Sequence, residues 1–200
     1  MNDHYFTQDP QVASDPREVK VKLRGEDYRF YTDRGVFSHR EIDLGSRILI
    51  EEMDVARGKS ILDLGCGYGP IGIVAARLAP EAQVFLVDVN HRAVELCKKN
   101  IIANGVPNAQ ALVSDGFGNL GDLRFDVILS NPPIRAGKRV VYPLISEAPG
   151  RMVPGGCLWI VVGKKQGAPS MTRFVEEVFG NCQVVQKKSG YWVLRAVKTS

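Results

Sequence analysis

Asn131, Pro132 and Pro133 directly follow the apolar run Phe125–Ser130 and lead into Ile134. Two consecutive prolines fix φ and remove two backbone donors, so the loop is stiff and presents carbonyl oxygens. The asparagine side chain adds a further acceptor. A rigid set of acceptors suits a neutral amino group whose nitrogen lone pair is delocalised into a ring or an amide. Acceptors at its two hydrogens, out of the plane, favour a pyramidal nitrogen. They bind more strongly as that nitrogen becomes positive, which is differential stabilisation of a transition state. No strong general base is needed, because the proton can leave after the new bond forms. Asn131, Pro132, Pro133 and Ile134 are therefore the catalytic candidates.

A second constellation lies upstream. Asp63 and Leu64 end an apolar run, and Gly65-Cys66-Gly67-Tyr68-Gly69-Pro70 follows. Alternate glycines after a strand let backbone approach a ligand closely. The string from Gly67 to Gly72 also fits GxGxxG, the fingerprint of a dinucleotide site. Two features oppose that reading. Counting from Gly65, the third position falls on Pro70, and Asp63 puts a carboxylate where a pyrophosphate would be repelled. S-adenosylmethionine has no phosphate, and it carries an ammonium and a sulfonium. Asp88 stands 23 residues past Gly65, near the spacing of a carboxylate that holds a ribose diol. Val89 and Asn90 stand beside it. Ser114-Asp115-Gly116-Phe117 ends a further strand, where a polar side chain is placed for an adenine amino group and Phe117 for the ring face.

These groups need a scaffold. The segments 60–64, 83–89, 109–114, 125–130 and 157–162 read as short apolar strands. Helices over 70–78, 90–104 and 170–179 alternate with several of them. Asn90 is placed to cap the middle helix, and Gly105 and Pro107 end it. Strands alternating with helices predict a doubly wound, mostly parallel α/β sheet, Rossmann-like in architecture. Ser189-Gly190 joins two last strands, 182–188 and 191–197, as an antiparallel C-terminal edge hairpin. At the other end, alternation in 19–23 and 28–32 around Gly25-Glu26-Asp27 predicts an N-terminal β-hairpin extension. Ser38 and Glu41 fit a capping box that would open a helix through Leu44, Ile48, Leu49 and Met53. One domain over 1–200 results: a polar arm (1–16), the hairpin and helix (17–56), and the core (57–200).

The motifs DLGCGYG (63–69), VDVN (87–90), SDGF (114–117) and SNPPI (130–134) resemble, in that order, class I methyltransferases of the Asn-Pro-Pro type. Within that type, GVFSHREIDLGSR (35–47), NPPIRAGK (131–138) and KKQGA (164–168) resemble the small methyltransferase domain of rRNA guanine-N2 methyltransferases. The likeness spans about residues 17–197. It implies S-adenosylmethionine as cofactor and a base amine of RNA, guanine N2 of ribosomal RNA, as target. It brings Phe37 and Ser38 towards cofactor and target. Asp63, Gly65, Cys66, Gly67, Tyr68 and Gly69 go to the methionine end, Asp88 to the ribose, Asp115 with Gly116 to the adenine side, and Asn131 with Pro132 to the target amine. Many relatives follow Asn-Pro-Pro with an aromatic residue that stacks on the target. Ile134 stands here, so stacking falls to Phe37 or Tyr142, or gives way to aliphatic contact. The two-domain rRNA enzymes also carry a degenerate copy of the domain ahead of the catalytic one, so docking is expected to use this chain's own surface or a partner.

Bulk composition agrees with this picture. Of 200 residues, 44% are apolar and 24% charged, and the net charge is +4. Arg135, Lys138 and Arg139 follow the Asn-Pro-Pro loop and are the candidates for holding RNA phosphates. Lys164-Lys165, Lys187-Lys188 and the hairpin's Lys20, Lys22 and Arg24 are further candidates for that surface, although each pair by itself reads as a solvated face. The cysteines, Cys66, Cys97, Cys157 and Cys182, form no CxxC pair, and there are three histidines, so no metal is expected. No signal peptide and no membrane-spanning run is read, which predicts a cytoplasmic protein, and the resemblance implies ribosomal RNA or a ribosomal subunit as its partner. A homodimer is compatible with the sequence. A protein glutamine-N5 methyltransferase, whose amide poses the same chemical problem, and a catalytically silent RNA-binding module remain open.

Overall fold

The computed structural model describes residues 10, 12–56 and 58–199. A seven-stranded sheet forms the centre. Its parallel part comprises β3 (Ser60–Leu64), β4 (Gln83–Asp88), β5 (Ala109–Val113), β6 (Phe125–Ser130) and β7 (Met152–Gly163). With β8 (Gln183–Lys188) and β9 (Tyr191–Val197), the order across the sheet is β5-β4-β3-β6-β7-β9-β8. The last two strands are antiparallel, β9 to β7 and β8 to β9.

Side chains alternate between two cores, as strand pleating requires. Ile61, Leu86, Leu129 and Val161 face one core, which α1 (Leu44–Glu52), α2 (Pro70–Leu78) and α3 (His91–Ala103) cover. Leu62, Val87, Ile128 and Ile160 face the other, beneath α4 (Lys138–Glu147) and α5 (Ala168–Phe179). Strand order reverses between β3 and β6, and the Gly65 turn and the Asn131 loop leave the carboxyl ends of those two strands. That switch point is where open α/β sheets hold ligands. Among the described residues no helix is long and apolar enough to cross a membrane.

The N-terminal hairpin, β1 (Arg17–Leu23) and β2 (Glu26–Thr32), forms a two-stranded sheet of its own. Two buried asparagines one turn apart, Asn100 in α3 and its C-cap Asn104, satisfy its inner edge. Asn100 accepts from Tyr31 N–H (2.6 Å) and donates to the Tyr31 carbonyl (2.8 Å). Asn104 does the same with Arg29, at 3.1 and 2.7 Å. The amides imitate a neighbouring strand and cover the edge there.

Four expectations need correction. The helix expected from Ser38 begins at Leu44. Its cap is Asp43, whose carboxylate accepts Ser46 N–H at 3.0 Å. Ser38 has φ +55°, outside the extended backbone from which a serine side chain caps a helix, and its hydroxyl donates to the Glu41 carbonyl instead. The hairpin turn is Arg24-Gly25, at φ +50° and +83°, with β2 already under way at Glu26. Helix α4 is an addition to the expected elements, because Pro143 inside it removes one helical donor and breaks the pattern. Arg24 is not a free cation of an RNA surface: its guanidinium donates to the carbonyls of Ile50, Glu51 and Met53 and closes the C-terminus of α1. Of the expected arm, Pro10 and Val12 lie against α3, where Arg92 donates to both carbonyls. Residues 1–9 and 11 fall outside the described residues.

Candidate active site

A cleft of about 300 Å³ opens at the carboxyl ends of β3, β4, β5 and β6. Its floor is the glycine turn. Gly65 and Gly67 have φ +76° and +57°, and a Cβ on either would meet nothing within 4 Å, so bare backbone faces open space. The turn is anchored by Gly65 and Cys66 N–H, both bonded to the Val87 carbonyl at 2.9 Å. Gly69 serves packing: a Cβ there would lie 2.7 Å from Cys97 Sγ. Cys66 and Tyr68 join the cleft wall, and burial pushes the Cys66 thiol up, out of the reactive range.

The acidic residues divide in two. Asp88 lines the cleft, where its oxygens accept Gly67 N–H (2.8 Å) and Asn90 N–H (2.9 Å). Burial raises its pKa, and these bonds oppose the rise. Asp63 is fully buried and does not line the cleft. One oxygen accepts Gly72 N–H at 2.8 Å, and the other has no hydrogen-bond partner among the described residues. Burial pushes Asp63 up to about 7, Gly72 N–H opposes that, and the Asp88 charge adds to it. Val89, Ser114, Asp115 and Gly116 line the far end. Asn90 instead caps α3, accepting Ala93 N–H, and ties down the Gly35 carbonyl. Phe117, expected against a ligand ring, is packed into the second core at 1% exposure and takes no part in the wall. Val140 and Leu144 of α4 supply apolar surface in its place.

A second cavity of about 350 Å³ adjoins the first. Val36, Phe37, Ser38, Asp43, Asn131 and Pro132 line both, so the Asn-Pro-Pro loop forms the seam. The Asn131 amide is fixed there. Its nitrogen donates to Asp43 Oδ2 and to Ser46 Oγ, each at 2.9 Å. An ionised carboxylate only accepts, so it selects this orientation and leaves Asn131 Oδ1 as the acceptor at the seam. Pro132 is buried and Pro133 half-buried, and the rigid loop carries Ile134 and Arg135 into the wall of the second cavity.

Sequence reading did not single out several residues here. Asp43, Ser46, His39, Gln166 and Tyr191 converge from three distant segments. The signal for the first two was the helix-start pattern at 43–46, which the capping box at Ser38 displaced. Tyr191 lies over the first turn of α1: a Cβ on Gly45 would sit 2.9 Å from its Cε1. Burial raises its pKa, so the phenol stays protonated. Tyr142, a stacking candidate, stacks instead on Phe174 at 3.9 Å, on the side of α4 that meets α5. Phe37 lines both cavities and keeps that role available. Lys138 and Arg139 are exposed at the start of α4 and line neither cavity. Among the described residues no group of three or more His, Cys, Asp or Glu could hold a metal ion.

The family described as Methyltransferase small domain matches residues 27–195. A Bacillus subtilis protein, YbxB, is 45% identical over 99% of this chain and all of its own length. Ribosomal RNA large subunit methyltransferase G of Streptomyces avermitilis is 31% identical over 97% of this chain and 53% of its own. A solved structure of the T. thermophilus 16S rRNA N2 G1207 methyltransferase, in complex with AdoMet and guanosine, superposes with a TM-score of 0.82. It shares 33% identity over 94% of this chain and 52% of its own. The chain thus spans about half the length of the rRNA methyltransferases it matches.

Proposed function

Because this chain belongs to the methyltransferase small-domain family and is an S-adenosylmethionine-dependent methyltransferase, we propose that it methylates an exocyclic base amine of RNA, namely guanine N2 of ribosomal RNA. The observation that carries this reading is the orientation of Asn131. Its Oδ1 is left as a fixed acceptor at the seam between a cofactor-sized cleft and a second cavity.

The cleft suits the cofactor on its own geometry. Bare backbone at Gly65 and Gly67 leaves room for a ligand against the turn. Asp88 would hold the ribose hydroxyls, with Val89 beside it. Ser114, Asp115 and Gly116 would flank the adenine, with Val140 and Leu144 against its faces. Asp63, buried beneath the turn, would add the negative potential that an ammonium favours once it is ionised, above about pH 7 in the empty cleft. When bound, the cofactor supplies an electrophilic methyl group on its sulfonium.

The protein's own contribution is placement and polarisation. Asn131 Oδ1 and the rigid loop's carbonyls accept hydrogen bonds from the target NH₂. They hold its lone pair towards the neighbouring cleft, and they bind more strongly as nitrogen gains positive charge. The surplus proton then passes to solvent. Phe37, on the wall of both cavities, is placed to cover a base face, and Ile134 adds aliphatic contact. Arg135, at the rim, with the exposed Lys138 and Arg139 beyond it, would hold phosphates. Support also comes from relatives that are rRNA methyltransferases by name, one of them seen with guanosine.

The test is transfer of labelled methyl from S-adenosylmethionine to total RNA and total protein, followed by nucleoside analysis. N2-methylguanosine is the expected product. Label confined to protein, recovered as N5-methylglutamine, overturns the RNA assignment in favour of an amide substrate.

A further inference from the structure

The second cavity contains a side-chain amide fixed in the opposite sense to Asn131. Gln166 ends the short turn after β7, and its Oε1 accepts Gly163 N–H at 3.2 Å. The side chain lies flat on Gly163: a Cβ there would be 2.7 Å from Gln166 Oε1 and 3.0 Å from Cδ. A backbone N–H can only donate, so it holds the oxygen and leaves Gln166 Nε2, with its two hydrogens, as the group offered to the cavity. Arg135, which has only donors, lines the same cavity, as does Tyr191 with its protonated phenol. The cavity is therefore polar in one direction. An acceptor stands at the Asn131 seam, donors are offered by Gln166 and Arg135 elsewhere on the lining, and the Tyr191 hydroxyl, able to donate or accept, lies near Asp43.

We propose that Gln166, held over Gly163, is a specificity-determining residue that selects a purine bearing a carbonyl on the edge away from its methyl-accepting amine. This inference rests on the RNA-base reading above and adds the residues that choose the base. Guanine matches the polarity: its N2 amine donates to Asn131 Oδ1, and O6 and N7 accept from Gln166 and Arg135. 2,6-Diaminopurine keeps the same N2 amine but presents a donor in place of O6, so it would set donor against donor. Discrimination of this kind arises because a donor that the bound base covers without accepting from it is left unpaired.

The test is the affinity of guanosine and of 2,6-diaminopurine riboside for the protein saturated with S-adenosylhomocysteine, measured by calorimetry. The wild type should prefer guanosine by about tenfold or more. Gln166→Glu keeps an oxygen for Gly163 N–H and replaces the donors by an acceptor. It should bring the preference to unity or reverse it. Gly163→Ala, which displaces an unaltered Gln166, should also lower the preference while leaving S-adenosylhomocysteine affinity unchanged. An unchanged preference in a folded Gln166→Glu, or equal binding of the two nucleosides by the wild type, overturns the role of Gln166 and leaves the methyl-acceptor reading standing. Binding of neither nucleoside, together with label in protein, overturns both.

Discussion

The cofactor cleft and the cavity beside it are of similar size, about 300 and 350 Å³, yet they are built differently. Away from the seam and the α4 residues Val140 and Leu144, the cleft is made of short continuous segments. Three successive strand ends each deliver a short motif to it: Gly65–Tyr68 after β3, Asp88-Val89 after β4, and Ser114–Gly116 after β5. The second cavity is assembled at long range, from Val36–His39, Asn131–Arg135, Gln166 and Tyr191. Backbone and fixed acids shape the first, and oriented side-chain amides polarise the second. The cofactor is common to many methyltransferases and the acceptor is not, so the variable chemistry sits where side chains rather than backbone define the wall. Variants that separate the two cavities test this division.

The largest effect is expected at the seam. Asn131→Ala removes the transition-state acceptor, so turnover should fall about 100-fold or more while S-adenosylmethionine affinity barely moves. Single-turnover methylation with a parallel cofactor titration measures both, and near-normal turnover would remove Asn131 from the mechanism. Next comes Asp43→Asn. Asparagine still caps a helix, so stability should hold. It can donate as well as accept, so it no longer dictates which way the Asn131 amide faces. Turnover should fall roughly tenfold, with cofactor affinity unchanged. A parallel loss of cofactor binding would mean that Asp43 serves the cleft instead.

The same division governs what the sequence reveals. Strand runs such as 60–64 and 125–130, helix 70–78 and the cleft's glycines and acids could all be read, because each lies in one continuous segment with its own periodicity or turn chemistry. Asp43 could not be assigned a chemical role, since its partner Asn131 is 88 residues away. Gln166 lay within KKQGA (164–168), a motif of the family resemblance that carried no role for it, and Tyr191 carried no local signal beyond its residue type. Phe117 misled in the other direction: it follows Asp115-Gly116 at a strand end, but the turn rotates it into the core. Arg24 has the pattern of one more hairpin cation, and only the C-terminus of α1 resting against it gives it a structural role.

A third effect concerns the rim. Replacing Arg135 and Lys138 together by Ala should weaken RNA binding and raise KM more than it lowers kcat. The salt slope of binding should fall by about two units, roughly one for each phosphate that is no longer neutralised. A slope unchanged in filter binding across a salt series would mean that these cations only decorate the surface.

A smaller effect lies under the cleft. Asp63 holds its proton to about 7 in the folded protein, against an ordinary 3.8. Its contribution to stability is therefore complete below 3.8 and is lost as pH rises to about 7, by up to about 1.4 kcal/mol per pH unit. Asp63→Asn is neutral throughout. Without cofactor, its melting temperature should pull ahead of the wild type by about 5 to 10 °C as pH rises from about 5 to about 7. A constant gap across that range would show that Asp63 is ionised in the fold.

The smallest effect is an expected absence, and it marks where the RNA surface ends. Asn131 meets the first turn of α1, whereas Arg24 closes its last turn, so the Arg24 end of the hairpin lies a helix length from the seam. Lys22 is paired in register with Asp27, near that turn, and beyond Arg29, which Asn104 holds at the C-terminal end of α3. Helix α3 starts beside the cleft at Asn90 and leads back to the start of β5, so its C-terminal end, and the hairpin tip with it, lies at the amino ends of the strands, away from the cleft. Lys20 is already engaged with Glu18 at 3.4 Å. Replacing Lys20 and Lys22 by Ala should therefore leave both RNA affinity and its salt slope where they were, although the double variant removes as much charge as the Arg135 and Lys138 pair. Equal losses from the two double variants would mean that RNA wraps from the seam to the amino ends of the strands, and that net charge, rather than the donors and cations around the second cavity, holds it.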